Sequence, residues 1–323
     1  MPTHTTLKGF THIGESLACE NIKSNLVSYF NWGFLCKGAF FNVSLGQAGS
    51  YGGYQHRLRL VNDPNYTRGQ VWEGFRQDWV WESGVEYAYQ PIAVSGVYVN
   101  SSFHSRTVTG TYKHHVNYPL GRIIFDTAIS PTSLVTAEYS YRWFHFISED
   151  QATWFKKIQF DSFRVDSSHF LQDGSGAWEV LAYNRVQLPV VVVQTIPRRS
   201  FAGVQLGQGQ YVRQDILFHI FAETEVDRDK IFDAVSFQNN KTIHSYDLNK
   251  ISNANRFPLD RNGTPVTGAM MYPDLVAPTS DGGYFWKKIW FVNMTGQETK
   301  VDARPPLYSA VVRGTLEIDF PEL

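Results

Sequence analysis

The chain carries little charge for its length. Only 18% of its 323 residues are Asp, Glu, Lys or Arg, and the formal net charge is -1. Soluble domains more commonly contain about a quarter of charged residues. A balance so close to neutral gives no reason to expect bulk electrostatic binding to a nucleic acid or to an acidic membrane surface.

Cysteines and long apolar runs are also scarce. Cys19 and Cys36 are the only cysteines, and they show no CxxC or Cys/His spacing, so reduced and buried thiols are expected. The sequence has no run of about 18 apolar residues that would predict a membrane span. Residues 1–15 lack the basic start and the apolar core of a secretory signal, which favours folding in a cytoplasm.

The usual sequence motifs of catalysis and of cofactor binding are missing. Gly203, Gly207 and Gly209 lie between two predicted strands without a following Gly-Lys-Ser/Thr, which indicates a hairpin turn rather than a phosphate loop. His114 and His115 are adjacent in a predicted strand, so they point to opposite faces and cannot easily bind one metal ion. We therefore predict a protein that is not an enzyme and has no catalytic, cofactor-binding or metal-binding residues.

One segment leaves a sugar-related function open, because it mixes tryptophans with acids: Trp72, Glu73, Asp78, Trp79, Trp81, Glu82 and Glu86. Two acids on either side of a sugar stacked on indole rings would form a glycoside-hydrolase cleft. A carbohydrate-binding platform without catalysis would need only the tryptophans. Buried aromatic rings with solvated acids between them would explain the same residues.

Aromatic residues are abundant, at 15% of the chain, with 9 Trp, 17 Tyr and 23 Phe. A surface rich in Tyr and Trp and poor in charge is typical of a protein that partners cover. An all-β chain offers a second explanation, because strands favour aromatic residues in any case.

Residues 188–237 are the best-defined part of the sequence. The run from Pro189 to Gln194 predicts a strand buried on both faces, and Tyr211 to Ala222 predicts a second strand after a Gly-rich turn. Thr224 is a predicted N-cap with acids in the following turn. The apolar spacing of the next residues predicts a helix with one face on the sheet.

The remaining pattern predicts a strand-rich α+β fold with two domains. Residues 1–168 would contain a helix over 15–41 and a β-hairpin-rich sandwich or barrel. Residues 169–323 would form a mixed or antiparallel sheet packed by a helix, closed by a strand over 308–320 with alternating apolar residues. A loop over 249–282 is long enough to suggest a functional or partner-bound segment.

Two parts of the chain resemble virion proteins of tailed bacteriophages. Residues 115–130 (HVNYPLGRIIFDTAIS) and 135–141 (VTAEYSY) resemble a hairpin of phage neck, tail and baseplate components. The strands and helix of residues 188–320 are similar to the tail-terminator and neck family. That resemblance implies a small α+β fold with helices on one side of a sheet, a subunit of a ring at the head–tail junction, and no catalytic residues.

We therefore predict a structural neck or tail-terminator protein that forms a homo-oligomeric ring. Its predicted location is the virion, after assembly in the host cytoplasm, and its predicted partners are neighbouring neck, connector, tail-tube or sheath proteins. Contact with DNA in the channel, without sequence specificity, stays open. The alternatives are a baseplate, tail-tip or fibre-attachment protein and, from another class, a carbohydrate-binding or glycan-degrading module.

The candidate interface residues come from three segments. Arg198 and Arg199 follow the Val-rich strand, whereas Met270, Met271 and Tyr272 lie in the long loop. The tryptophan-rich segment adds Trp72, Trp79 and Trp81. For the arginines and the loop residues, ordinary surface or loop packing is the competing interpretation, and for the tryptophans it is structural burial.

Overall fold

Strands dominate the structure, as expected for a strand-rich α+β fold. The computed structural model describes residues 12–45, 55–152, 154–155, 180–182, 187–205, 208–251, 258–301 and 307–320. Its helices include α1 (Ala18–Leu35), α2 (Glu225–Ser236) and the short α3 (Tyr272–Leu275). The first ten strands are β1 (Phe40–Val43), β2 (Arg59–Asn62), β3 (Val71–Glu73), β4 (Gly96–Val99), β5 (Ser102–Ser105), β6 (His114–Asn117), β7 (Arg122–Phe125), β8 (Val135–Thr136), β9 (Tyr139–Arg142) and β10 (His145–Ser148). The others are β11 (Val180–Ala182), β12 (Val190–Gln205), β13 (Gln208–Ala222), β14 (Thr242–Tyr246), β15 (Phe285–Val301) and β16 (Leu307–Phe320).

A six-stranded mixed sheet has the order β10-β12-β13-β16-β15-β14. The β10–β12 pair is parallel and the other neighbours are antiparallel. Helices α1 and α2 both pack on one face of this sheet, where the largest apolar core lies. This arrangement agrees with the predicted mixed or antiparallel sheet packed by a helix, and it adds α1, which was predicted to belong to the N-terminal domain.

Helix α2 follows the sequence prediction closely. The Thr224 hydroxyl accepts a hydrogen bond from the Asp227 amide at 3.1 Å, which caps the first turn as expected. Ile231 and Val235 are fully buried against the sheet. The helix therefore begins at a side-chain cap and is fixed by an apolar face.

Helix α1 belongs to the same core. Ile22, Leu26 and Phe30 lie one turn apart and are almost fully buried, and the Phe30 ring stacks on Phe146 of β10 at 4.9 Å. The helix ends at Leu35 rather than continuing to residue 41, because Gly38 adopts a φ of 78° and starts the turn into β1.

The remaining strands form a smaller β region with its own core. The five-stranded sheet has the order β11-β2-β3-β7-β6, the three-stranded sheet β5-β4-β8, and β1 pairs with β9. Trp72, Trp79 and Tyr139 lie in the core between these sheets. The prediction of short hairpins is confirmed for two of them, because β4 pairs with β5 and β6 pairs with β7, both antiparallel. The next two strands do not pair with each other: β8 pairs with β4, and β9 pairs with β1.

The predicted division at residue 168 does not follow the packing. Helix α1 and β10 come from the first half of the sequence, yet they complete the core and one end of the sheet formed by the second half. In the opposite direction, β11 pairs with β2 in the smaller region. The boundary residue itself lies outside the described residues. Local sequence patterns missed these long-range pairings.

The described part of the long loop is bonded within the chain. The Gly263 carbonyl accepts from the Tyr118 amide at 3.1 Å, and the Tyr272 hydroxyl donates to the His244 carbonyl at 2.7 Å. The loop therefore bridges the smaller β region and β14.

Candidate functional site: the open face and edges of the sheet

The face of the six-stranded sheet opposite α1 and α2 is called the open face here. Alternation along β13 places Arg213, Asp215 and His219 on it, whereas Ile216, Phe218 and Ile220 face the helices. The same alternation on β16 places Arg313, Thr315 and Glu317 on the open face. Arg213 thus lies directly opposite Glu317, and Arg313 lies diagonally across from Asp215.

Two ion pairs cross the centre of the open face. Arg213 Nε lies 2.7 Å from Glu317, and Arg313 lies 2.8 Å from Asp215. The arginine side chains are 63% and 55% exposed, whereas Glu317 and Asp215 are 10% and 15% exposed. Pairs with such solvated cations add little stability. Their main consequence is a surface on which the arginines are exposed to solvent and the acids lie beneath them.

A cleft of about 390 Å³ lies over these pairs and is also lined by Asn293. Its two sides carry register shifts, between Thr195 and Arg199 in β12 and between Val292 and Thr295 in β15. Asn293 has a φ of 54° in the second shift. Because bulges bend and twist a strand, they account for the concave shape here.

The other end of the open face is apolar. Val190, Val192 and Phe221 pack there against Phe155 and neighbouring residues. His219 adjoins this cluster, with Nε2 2.8 Å from the Gln194 amide oxygen and its ring 4.8 Å from that of Phe155. Burial lowers the pKa of His219 to about 4, so the imidazole is neutral at neutral pH.

Two strand edges complete the candidate site. The β10 edge is the side of His145–Ser148 that faces away from β12, and the β15 edge is the side of residues 295–301 that faces away from β16. No strand in the described ranges pairs with either edge. Unpaired edges are templates for pairing with another chain.

Strand β14 differs from these two edges, because side chains bond to its backbone. On β14, the Asn25 side chain bonds both the amide and the carbonyl of Tyr246, at 2.8 and 2.9 Å. The Tyr272 hydroxyl occupies the His244 carbonyl on the same strand. Side chains of α1 and the long loop therefore satisfy β14, which is one way in which proteins protect an edge.

The predicted arginine interface is only partly described. Arg199 turns toward the helices: its Nε donates to Gln214 at 2.9 Å, and its guanidinium contacts the Cys19 sulfur at the start of α1. Arg199 therefore holds α1 on the sheet, and changing it would test helix docking as well as assembly. The Arg198 side chain lies outside the described residues.

The loop residues also have partners within the chain. Met270 and Tyr272 pack against the apolar cluster around Tyr246 and Leu275, and Met271 is the residue before α3. Burial removes water from the Tyr272 hydroxyl, and this desolvation raises its pKa. All three side chains are half-buried, and their role as subunit contacts stays a prediction.

The expected tryptophan surface is wrong for two of its three members. Trp72 and Trp79 are 3% and 0% exposed, and the Trp79 ring stacks on Tyr139 at 4.2 Å. Neither ring can stack on a sugar or reach a neighbouring subunit in this fold. Trp81 is half-buried at the margin of the same core, so its interface role stays a prediction.

Arginines bind the acids between these tryptophans. Glu73 lies 2.8 Å from Arg122, while Arg142 contacts both Asp78 and Glu82. Burial raises the pKa of Asp78, but the charges and hydrogen bonds of His145 and Arg142 outweigh burial and hold that pKa below its usual value. A general acid of a glycoside hydrolase needs a raised pKa, so Asp78 does not fit that role. Glu86 is exposed.

The adjacent histidines His114 and His115 and the glycines near the β12–β13 connection show no arrangement for metal or phosphate binding among the described residues. His114 is buried with Nδ1 2.8 Å from the Tyr112 carbonyl, and His115 alternates with it along β6. Among the described residues, no three His, Cys, Asp or Glu side chains are grouped to hold a metal ion. Gly203 and Gly209 lie within the long strands β12 and β13 rather than in a turn, and Gly207 lies outside the described residues.

Sequence reasoning missed the charged residues of the open face and both edges. The alternation in β16 was recognised from its apolar members, and the same pattern places Arg313, Thr315 and Glu317 on the opposite face. The edges had no such signal, because strand order depends on pairings distant in sequence.

Comparison with models of known protein families gives no match for this chain. Comparison with curated proteins finds none with significant similarity. Among the described residues, no helix is both long enough and apolar enough to cross a membrane.

Proposed function

We propose that this chain is a structural, non-enzymatic subunit of a tailed-bacteriophage virion. Copies of it form a homo-oligomeric ring in the neck or at the tail terminator, at the head–tail junction. The virion location rests on the resemblance of residues 115–141 and 188–320 to phage neck and tail proteins.

One observation carries the assembly part of the proposal. On one side the sheet ends in β10, and on the other side residues 295–301 of β15 extend beyond the part of that strand that pairs with the end strand β14. No described strand pairs with either of these two edges. A ring of identical subunits needs two unlike surfaces that bind each other and close by rotation. Two unlike edges on opposite sides of one sheet meet that requirement, whereas a two-fold dimer would need only one self-complementary surface.

The open face supports contacts with further components. Its arginines and acids alternate across β13 and β16, so the surface offers charge-dependent specificity with almost no net charge. Such a face suits neighbouring proteins of the neck or tail better than a polyanion, which would need a basic surface.

Light scattering coupled to size-exclusion chromatography tests the assembly, and negative-stain microscopy shows its shape. We expect a closed ring whose mass is a multiple of 36.9 kDa. A chain that stays monomeric at high concentration and is absent from purified phage particles would refute the proposal. Antibody labelling of intact particles places the ring: a signal at the baseplate or tail tip would favour that location over the neck.

A further inference from the structure

We propose that neighbouring copies join by antiparallel pairing of the β10 edge of one copy with the β15 edge of the next. Phe146 would lie opposite Glu298, and the six-stranded sheet would continue from one copy to the next. This inference rests on the proposed ring and names its interface.

The two edges lie at the same level of the sheet. Phe146 is level with Val191, which pairs with Ile220 of β13. Ile220 pairs with Ala310 of β16, and Ala310 pairs with Glu298 of β15. Copies placed side by side can therefore pair these edges without a shift along the strands. Absence of a shift favours a closed ring over a helical filament.

The strand directions also fit. Strand β10 runs parallel to β12, and three antiparallel steps through β13 and β16 lead to β15. Strand β15 therefore runs opposite to β10. Copies in the same orientation would form an antiparallel pair, which is the more common and slightly more stable arrangement.

The β10 backbone offers hydrogen-bonding groups at the required positions. The His145 amide donates to the carbonyl of Pro189, the residue before β12, at 3.2 Å, and the Glu149 amide donates to the Val193 carbonyl at 3.1 Å. Because successive residues of a strand direct their amides to opposite sides, the amides of Phe146 and Ser148 point away from β12. The Ser148 carbonyl already accepts from the amides of Gln151 and Ala152.

The β15 backbone has the matching pattern. Phe291 exchanges two hydrogen bonds of 2.9 Å with the loop before β14, on the outer side of the strand. After the register shift, the Met294 amide also bonds outward, to the Asn239 side chain at 3.2 Å. Alternation then directs the amides and carbonyls of Gly296 and Glu298 outward. Phe146 and Glu298 can exchange two bonds, and the Ser148 amide can donate to Gly296.

The side-chain faces agree with this register. Phe146 lies on the helix side in the main core, and Glu298 lies on the helix side with its carboxylate 3.0 Å from Arg228 of α2. Ile147 and Gln297 both lie on the open face. A shift by one residue would place helix-side residues opposite open-face residues and break the continuity of both faces.

A disulfide between copies tests the register. We would combine Ile147→Cys with Gln297→Cys in the full chain, because these residues would form a pair without direct backbone bonds, at a Cα separation that suits a disulfide. Within one chain the two positions are four strand spacings apart, about 19 Å, so no internal disulfide can form. The control combines Ile147→Cys with Thr295→Cys, which lies on the same face two residues away. The two single variants control for the natural cysteines.

After mild oxidation, we expect a ladder of linked chains on non-reducing gels, with at least about fivefold more product than from the control pair. A ring that assembles but yields no more product than the control would refute the edge pairing and leave the ring intact. A chain that stays monomeric would refute both. Failure of either double variant to fold is recognised by circular dichroism, and mixing the two single variants then provides the same test, because each copy contributes one cysteine.

Discussion

Acid is expected to destabilise this fold through His219. Burial between β12, β13 and Phe155 lowers the pKa of His219 from 6.5 to about 4. The unfolded chain takes up a proton first as the pH falls, so protonation favours the unfolded state. The free energy of unfolding should therefore fall between about pH 6.5 and pH 4, and each unit of pKa difference corresponds to about 1.4 kcal/mol. The neutral imidazole of His219 therefore contributes at most about 3 kcal/mol to the free energy of unfolding. This contribution is fully present at neutral pH and is lost in acid.

Urea unfolding at a series of pH values from 7 to 4 measures this contribution, with His219→Gln as the test variant. Glutamine keeps a hydrogen-bonding group beside Gln194 but cannot titrate. We expect the variant to lose up to about 3 kcal/mol less stability than the natural chain over this range. His12→Gln, at an exposed turn, is the control and should follow the natural chain. Identical pH dependence of the natural chain and His219→Gln would refute the assignment of a buried, neutral imidazole.

Four further substitutions and one fragment have defined outcomes. Arg142→Met leaves the buried acids Asp78 and Glu82 without their cation and should lower the free energy of unfolding in urea by about 3–5 kcal/mol. A decrease below about 1 kcal/mol would contradict the buried ion pairs. Thr224→Ala should cost about 1 kcal/mol by removing the cap of α2, and Thr224→Ser should restore it. Phe30→Ala should cost about 3–5 kcal/mol, and a fragment of residues 169–323 should show no cooperative unfolding by circular dichroism, since it lacks α1 and β10. Glu298→Pro removes an outward amide and should abolish the ring while the monomer unfolds as in Glu298→Ala; an intact ring would contradict the β15 edge.

Local signals predicted the parts of the fold that are local. The cap and apolar spacing of α2 define that helix, and the alternation from Tyr308 to Phe320 defines β16, because both patterns depend on residues close in sequence. The sequence also predicted β12, but only up to Gln194. The strand continues to Gln205 through a register shift between Thr195 and Arg199, and Pro197 lies in this irregular part, where proline is tolerated.

Long-range packing was not accessible from these patterns. The sequence does not reveal that β10 joins the sheet of the second half, since a four-residue strand specifies no partner. Trp72 and Trp79 illustrate the same limit for burial: a tryptophan in a short extended segment has the same local pattern in a core and on a surface. Arg199 faces the helices, as Val191 and Val193 of the same strand do, because the register shift places two extra residues in β12 and so keeps the alternation of side chains. The predicted strand ended at Gln194, so this alternation was not followed to Arg199.

The most direct measurement of the central claim is a cryo-electron microscopy map of the assembled protein at a resolution that separates strands. The account predicts a closed ring in which β15 of each copy lies antiparallel beside β10 of the next, with Glu298 opposite Phe146. A ring held together by other surfaces, with both edges in solvent, would contradict the edge pairing. A protein that shows only isolated copies would contradict the account as a whole.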